Sequence, residues 1–204
     1  MLFRSAHPDV LEVGWGFCEV FNGAGNYNLD AMLAGIGAPY DLVDPGLVIK
    51  VYPCCGLVHS ALDGVIDLVT KHNLKPEQIR KATIAVHELV PKTMRFDRPA
   101  TGYEAKFSTP FCVATAMMER SVRLSHFTDA RARDSALARE MAKVTMVVHP
   151  ELHVNDTFLT KEWTDVTLDL VDGRRLDQRV PRIGNRGSRD RRSEEHTSEL
   201  QSRL

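Results

Sequence analysis

The chain has 204 residues, 43% of them hydrophobic, with 26 Lys and Arg against 27 Asp and Glu and a formal net charge of −1. A near-neutral chain without a basic stripe gives no electrostatic reason to expect nucleic acid or an anionic membrane as partner, and its interrupted apolar runs fall far short of the about 20 residues a membrane span needs. Four cysteines, Cys18, Cys54, Cys55 and Cys112, show neither CxxC spacing nor the density of a secreted disulfide scaffold, which points to a reduced, cytoplasmic setting.

Both ends read as foreign to the fold. Arg192 to Ser202 resembles the translation of a common sequencing-library adapter, and Met1 to Ser5 resembles the same adapter read from the opposite strand. Such segments are set aside before a fold is argued. Setting aside residues 1–5 and 192–204 removes three basic residues (Arg4, Arg192 and Arg203) and three acidic ones (Glu194, Glu195 and Glu199) and leaves the net charge at −1. Residues 1–5 are thus expected to be an adapter-like artefact, residues 186–204 a disordered, adapter-like tail, and the reading frame to have been cut at both ends.

In chain order, Val13 to Phe21 is an apolar, aromatic run, Asn22 to Asn26 a Gly/Asn turn, and Asn28 to Ile36 a short helical pattern with Leu29, Met32, Leu33 and Ile36 on one side. Gly35, Gly37 and Pro39 end that helix, and Gly46 to Tyr52 alternates like a strand. After Pro53 the period becomes helical: Leu57, Val58, Leu62, Val65, Ile66, Leu68 and Val69 form a wide apolar stripe reaching His72, with Ser60 as expected N-cap. Pro76 and Glu77 open a connection, and Ala82 to Val90 alternates as a second strand, which makes a β-α-β unit. Pro91 to Thr101 is a Pro/Arg-rich loop of the kind that carries sites on a rigid scaffold. Phe107 to Met118 reads as a largely buried helix, Asp129 to Lys143 as an amphipathic one and Val144 to Val148 as a third strand. Thr164 to Leu170 and Arg174 to Val180 flank Asp172-Gly173, the strongest hairpin signal in the chain. The expected class is α+β, with helices on one face of a mostly antiparallel sheet.

Two segments carry most of the chemistry. The first is Lys50, Val51, Tyr52, Pro53, Cys54, Cys55, Gly56, Leu57, Val58, His59, at a strand end leading into a helix. The second is Tyr103, Glu104, Ala105, Lys106, Phe107, Ser108, Thr109, Pro110, Phe111, Cys112, Val113, Ala114. In this order and separation they resemble the K-x-[YF]-P-[CAS]-[CH]-x-x-x-H and EAKFSxPYxVA elements of the MmgE/PrpD family, which includes 2-methylcitrate dehydratase. Gly14 to Phe17 upstream and Val166 to Gly173 downstream are similar as well, so the resemblance covers about Val13 to Val180. It implies a remnant of a helical domain's connection in residues 6–40 and the smaller, lid-like C-terminal α+β domain in residues 41–185. It further implies a homodimeric parent enzyme of propionate metabolism, a cofactor-independent hydro-lyase acting on small tricarboxylates such as 2-methylcitrate. In that family an N-terminal helical domain supplies further acidic, histidine and lysine groups, so the piece by itself is expected to be inactive.

Carboxylate substrates need cations, and Lys50 at a strand terminus suits that role, with Lys106 and Arg95 as further candidates. Dehydration of a 3-hydroxy acid needs a base for the α-proton, an acid for the departing hydroxyl and charge stabilisation for the intermediate. His59 is the candidate proton donor, while Ser108 and Cys55 complete the expected substrate contacts. Each residue has a plainer reading: Lys50 as a solvated strand-end lysine, His59 as a capping or core histidine, Lys106 and Ser108 as a helix start, and Arg95 as a structural loop residue. Adjacent Cys54 and Cys55 with no third cysteine at cluster spacing argue against iron-sulfur ligation, and Pro150 breaks any helical pairing of His149 with His153, so no metal is expected. In the family's decarboxylating members a histidine stands at the position of Cys55 and a tyrosine at that of Phe111. Their absence disfavours decarboxylation of cis-aconitate. A non-catalytic binding or dimerisation module, and an epimerase of dicarboxylates within the family, stay open as alternatives.

Overall fold

The structure, a computed structural model, describes residues 8–34, 36, 37, 40, 50–152 and 163–181. The chain divides into two compact units, Met1–Leu47 and Val48–Leu204. The expected adapter-like ends at 1–5 and 186–204 lie outside the described residues.

In the first unit the apolar run yields helix α1 (Phe17–Asn22), closed by Gly23 at a φ of 85°, a backbone setting that glycine adopts without a Cβ clash. Asn28 then caps helix α2 (Leu29–Leu33) by accepting the Ala31 N–H at 3.0 Å. The helix stops at Leu33, three residues before the expected Ile36. Cys18 is buried, and its thiol points at the Met32 sulfur, 3.7 Å away. Trp15, Phe21 and Ile36 are largely exposed.

The second unit holds a four-stranded sheet in the order β2-β1-β3-β4, built from β1 (Ile79–Val86), β2 (Val144–Val148), β3 (Trp163–Leu170) and β4 (Arg175–Pro181). β1 pairs with β2 in parallel and with β3 antiparallel, and β3 pairs with β4 antiparallel. The fold is α+β, as expected, and two of the three pairings are antiparallel. Ala82, Ile84, Val86, Val166, Leu168 and Leu170 point into one buried layer. On the opposite face the rows Thr83–Thr167–Asp177 and Ala85–Asp165–Arg179 carry polar groups bonded to one another. One sheet face is therefore dry and the other wet, the alternation typical of such sheets.

Helices cover the dry face. α3 (His59–Lys71) packs on β3 and β4, and α6 (Thr109–Glu119) packs on α3 and β2. Of the expected stripe, Val58, Leu62, Val65, Leu68 and Val69 are buried, Leu57 and Ile66 partly so, and Ala61 of α3 joins them in the core. Gly64 permits close approach to the sheet: a Cβ there would stand 2.8 Å from a Val166 methyl and 2.9 Å from a Val180 methyl. α6 is buried nearly all round from Thr109 to Met117. Among the shorter helices, α4 (Val90–Thr93) and α5 (Gly102–Ala105) precede α6, whereas α7 (Asp129–Ala132) and α8 (Ser135–Met141) lead into β2.

Several expectations need correction. Of the strand expected at Gly46 to Tyr52, residues 46–49 lie outside the described residues, while 50–52 belong to no strand of the sheet. The Cys55 N–H that follows donates to the Lys106 carbonyl, so this segment bonds to a helix end, and the parallel crossover runs from β1 to β2 instead. Ser60 is not the N-cap; the helix opens at His59, and Ser60 lies buried in its first turn. The second strand runs from Ile79 to Val86, not Ala82 to Val90, because a turn closed by the Val90 N–H on the His87 carbonyl and Pro91 in the first turn of α4 stop the ladder. The single helix expected over Asp129 to Lys143 breaks at extended Asp134, whose carboxylate accepts the Ala136 N–H at 2.7 Å. The hairpin stands as expected, with Gly173 at a φ of 87° in the turn.

Candidate active site

The segment from Lys50 to His59 is fixed at both ends of its turn. Tyr52 is buried and donates its hydroxyl to Asp63 Oδ1 of α3 at 2.7 Å. A single 3-10 turn, Gly56–Val58, closed by Val58 N–H on the Cys55 carbonyl, then feeds His59 into α3. The His59 ring meets the Tyr52 ring edge-on at 5.2 Å. Its Nε2 is buried and has no hydrogen-bond partner among the described residues. A buried imidazole nitrogen without a partner costs stability, and such an atom is a place where a further group is wanted. Lys50, at the start of the segment, is exposed.

The second segment reaches the first through the backbone. Thr101 caps α5 by accepting the Glu104 N–H, and Gly102 packs so closely on Phe127 that a Cβ would overlap its carbonyl. Lys106 is the C-cap of α5, and its carbonyl accepts the Cys55 N–H at 3.0 Å. The two sequence motifs thus form one structural unit, with half-buried Cys55 and half-buried Lys106 joined at the backbone. Ser108 is fully buried, and its hydroxyl accepts the Phe111 N–H at 3.2 Å as the cap of α6. The helix-start reading is therefore the one its geometry supports. Phe111 is also fully buried and packs on Phe127 at 5.5 Å, as a core residue.

Cysteine chemistry at this junction was not legible as a site. Cys54 and Cys112 are both buried, and the single proton of the Cys112 thiol has two acceptors in reach, Cys54 and the Ala105 carbonyl 3.5 Å away. A hydrogen bond from the Cys112 thiol, outweighing burial and helped by a hydrogen bond and charge from His59 and by the Lys50 charge, brings Cys54 down to about 6. Cys112 is pushed up by its bond to Cys54 and by burial, so it holds the proton of the pair. The only hint in the sequence was that Cys112 belongs to the second motif.

Arg95 stands apart from this group. It lines a cleft of about 780 Å³ with residues of the Pro91–Pro99 loop, α8 and β2, a cleft whose walls include none of Lys50, Cys55, His59, Lys106 or Ser108. Its guanidinium lies 5.5 Å from the Phe96 ring. His149, weighed above only as a metal ligand, instead bonds Asp165 through Nε2 at 3.1 Å and accepts the Glu151 N–H at Nδ1. Its proposed counterpart His153 lies outside the described residues. Among the described residues no group of three His, Cys, Asp or Glu side chains is placed to hold a metal ion.

The family model for the MmgE/PrpD C-terminal domain matches residues 52–199, well over half of the chain, and takes in the motif residues from Tyr52 to His59 and from Tyr103 to Ala114. No curated protein matches the chain.

Proposed function

The chain belongs to the MmgE/PrpD family, whose C-terminal domain it carries, and on that premise we propose that it forms the lid-domain half of a hydro-lyase site for a small tricarboxylate such as 2-methylcitrate. The observation that carries the reading is the Cys55 to Lys106 backbone bond, which joins the two motifs beside a histidine whose buried Nε2 has no partner among the described residues. In this reading Lys50 and Lys106 bind substrate carboxylates as compact point charges. His59 Nε2 faces the hydroxyl that departs and delivers its proton, while Tyr52, anchored on Asp63, holds the ring edge-on. Ser108 acts indirectly, by fixing the start of α6. Cys55 and buried Phe111 offer no hydroxyl or imidazole to a second substrate group, which favours water elimination over decarboxylation. The base that takes the α-proton is assigned to the partner helical domain that the family resemblance implies. Arg95, on another cleft, is left out of this set.

The test uses the enzyme expressed from its complete gene. A charge-assisted hydrogen bond contributes about 1.5–3 kcal/mol, so Lys50→Ala should lower kcat/KM for tricarboxylates by about ten- to a hundredfold, read from the absorbance of the unsaturated product. Wild-type turnover of every tricarboxylate the enzyme accepts would remove Lys50 from the site.

A further inference from the structure

We propose that the cleft beside Arg95 is a second binding site, for an amphiphilic monoanion that carries one carboxylate on an aliphatic body. Its floor is apolar: Met94 is fully buried, Met141 and Val144 nearly so, and Met146 is half-buried beside Ala138 of α8. Methionines repack around irregular aliphatic shapes because three rotatable bonds and a polarisable sulfur impose little geometry. The volume of about 780 Å³ lies within the range of small-molecule sites.

The rim supplies the charge. Arg95 and Arg98 are exposed, and neither makes a hydrogen bond or ion pair among the described residues. Arg131 and Arg179, by contrast, are committed to carboxylates within 3 Å. Asp97 also lines the cleft, so the rim carries two positive charges and one negative. That balance matches one carboxylate. A second or third charge would be forced against the methionine floor without a cation, at a desolvation cost of several kcal/mol per ion. The ligand class therefore differs from the tricarboxylate proposed for the motif site, and the two proposals stand independently.

The loop that carries the two arginines is held by the fold itself. The Met94 N–H donates to the Val90 carbonyl, the Phe96 N–H donates to the Phe107 carbonyl, and Arg133 Nε donates to the Ala100 carbonyl, so the arginine-bearing loop is tied at three points. Such preorganisation cuts the ordering cost of binding.

Methyl NMR of the chain labelled at its methionines tests this directly, with sodium octanoate below its micellar concentration as probe. The Met94, Met141 and Met146 methyls should shift saturably, while Met32 and Met117 stay in place. Arg95→Gln with Arg98→Gln, both at exposed positions, should raise the Kd at least tenfold, and heptyltrimethylammonium, equal in tail and opposite in charge, should bind at least tenfold more weakly. Non-saturable or absent shifts, an equal response to the cation, or an unchanged Kd in the double variant would each overturn the proposal.

Discussion

Burial alone would push a thiol such as Cys54 up, yet a neighbouring thiol and a histidine bring it down to about 6, because each stabilises the thiolate locally where water cannot. The largest contribution is the hydrogen bond from Cys112. Removing that donor removes stabilisation of the charged form alone, so the sign is fixed: Cys112→Ala raises the Cys54 titration. Ultraviolet absorbance of the thiolate, followed against pH, should show a step near pH 6 in the wild type that disappears in Cys54→Ser and moves upward in Cys112→Ala. An unmoved step in Cys112→Ala would mean that His59 and Lys50 govern it instead. This pair was hidden in the sequence because its partners stand in different motifs. By contrast, Cys55, Lys106 and His59 stood out in the sequence as candidates, since each lies in one of the two motifs that resemble the family.

At the scale of elements, the decisive contacts are steric. Gly64→Ala should gain about 1 kcal/mol of helix propensity, but the new methyl meets Val166 and Val180 on the sheet, and overpacking of this kind costs about 1–3 kcal/mol. The clash is expected to win, with a net loss of up to about 2 kcal/mol in urea denaturation. In a Val166→Ala, Val180→Ala background, where the space exists, the same change should become neutral or stabilising. The apolar stripe of α3 and the Asp172-Gly173 hairpin were readable because their periodicity and turn chemistry are local. The break between α7 and α8 was not, since Asp134 reads as an ordinary polar position in a helix until its carboxylate turns to cap the Ala136 N–H. The start of β1 was missed for a related reason: Arg80 and Lys81 look unlike a strand, yet the irregular pairing between Ile79 and Lys81 lets both stay exposed while Ile79 and Ala82 both face inward.

Across the molecule, the second unit owns the large buried cluster, whereas α1 and α2 of the first together bury only Cys18. Helices of five and six residues have little intrinsic stability. Amides of α1 and α2 should therefore exchange with solvent orders of magnitude faster than those of β1 and β3, which lie at the centre of the sheet; equal protection by hydrogen-exchange NMR would show that the first unit is stabilised by more than its own contacts. The sequence by itself determined the α+β class, the apolar stripe of α3, the buried character of α6, the Asp172-Gly173 hairpin and the family, because periodicity, turn residues and motif spacing are properties of neighbouring residues. Only the tertiary structure decided that the Lys50 segment is held by a helix end and not by a strand, that Ser108 and Phe111 serve the core, that Cys112 belongs with Cys54, and that Arg95 lines a different cleft. Each of those depends on which distant backbone group accepts a hydrogen bond or which side chain fills a volume, and that is set only when the whole layer packs.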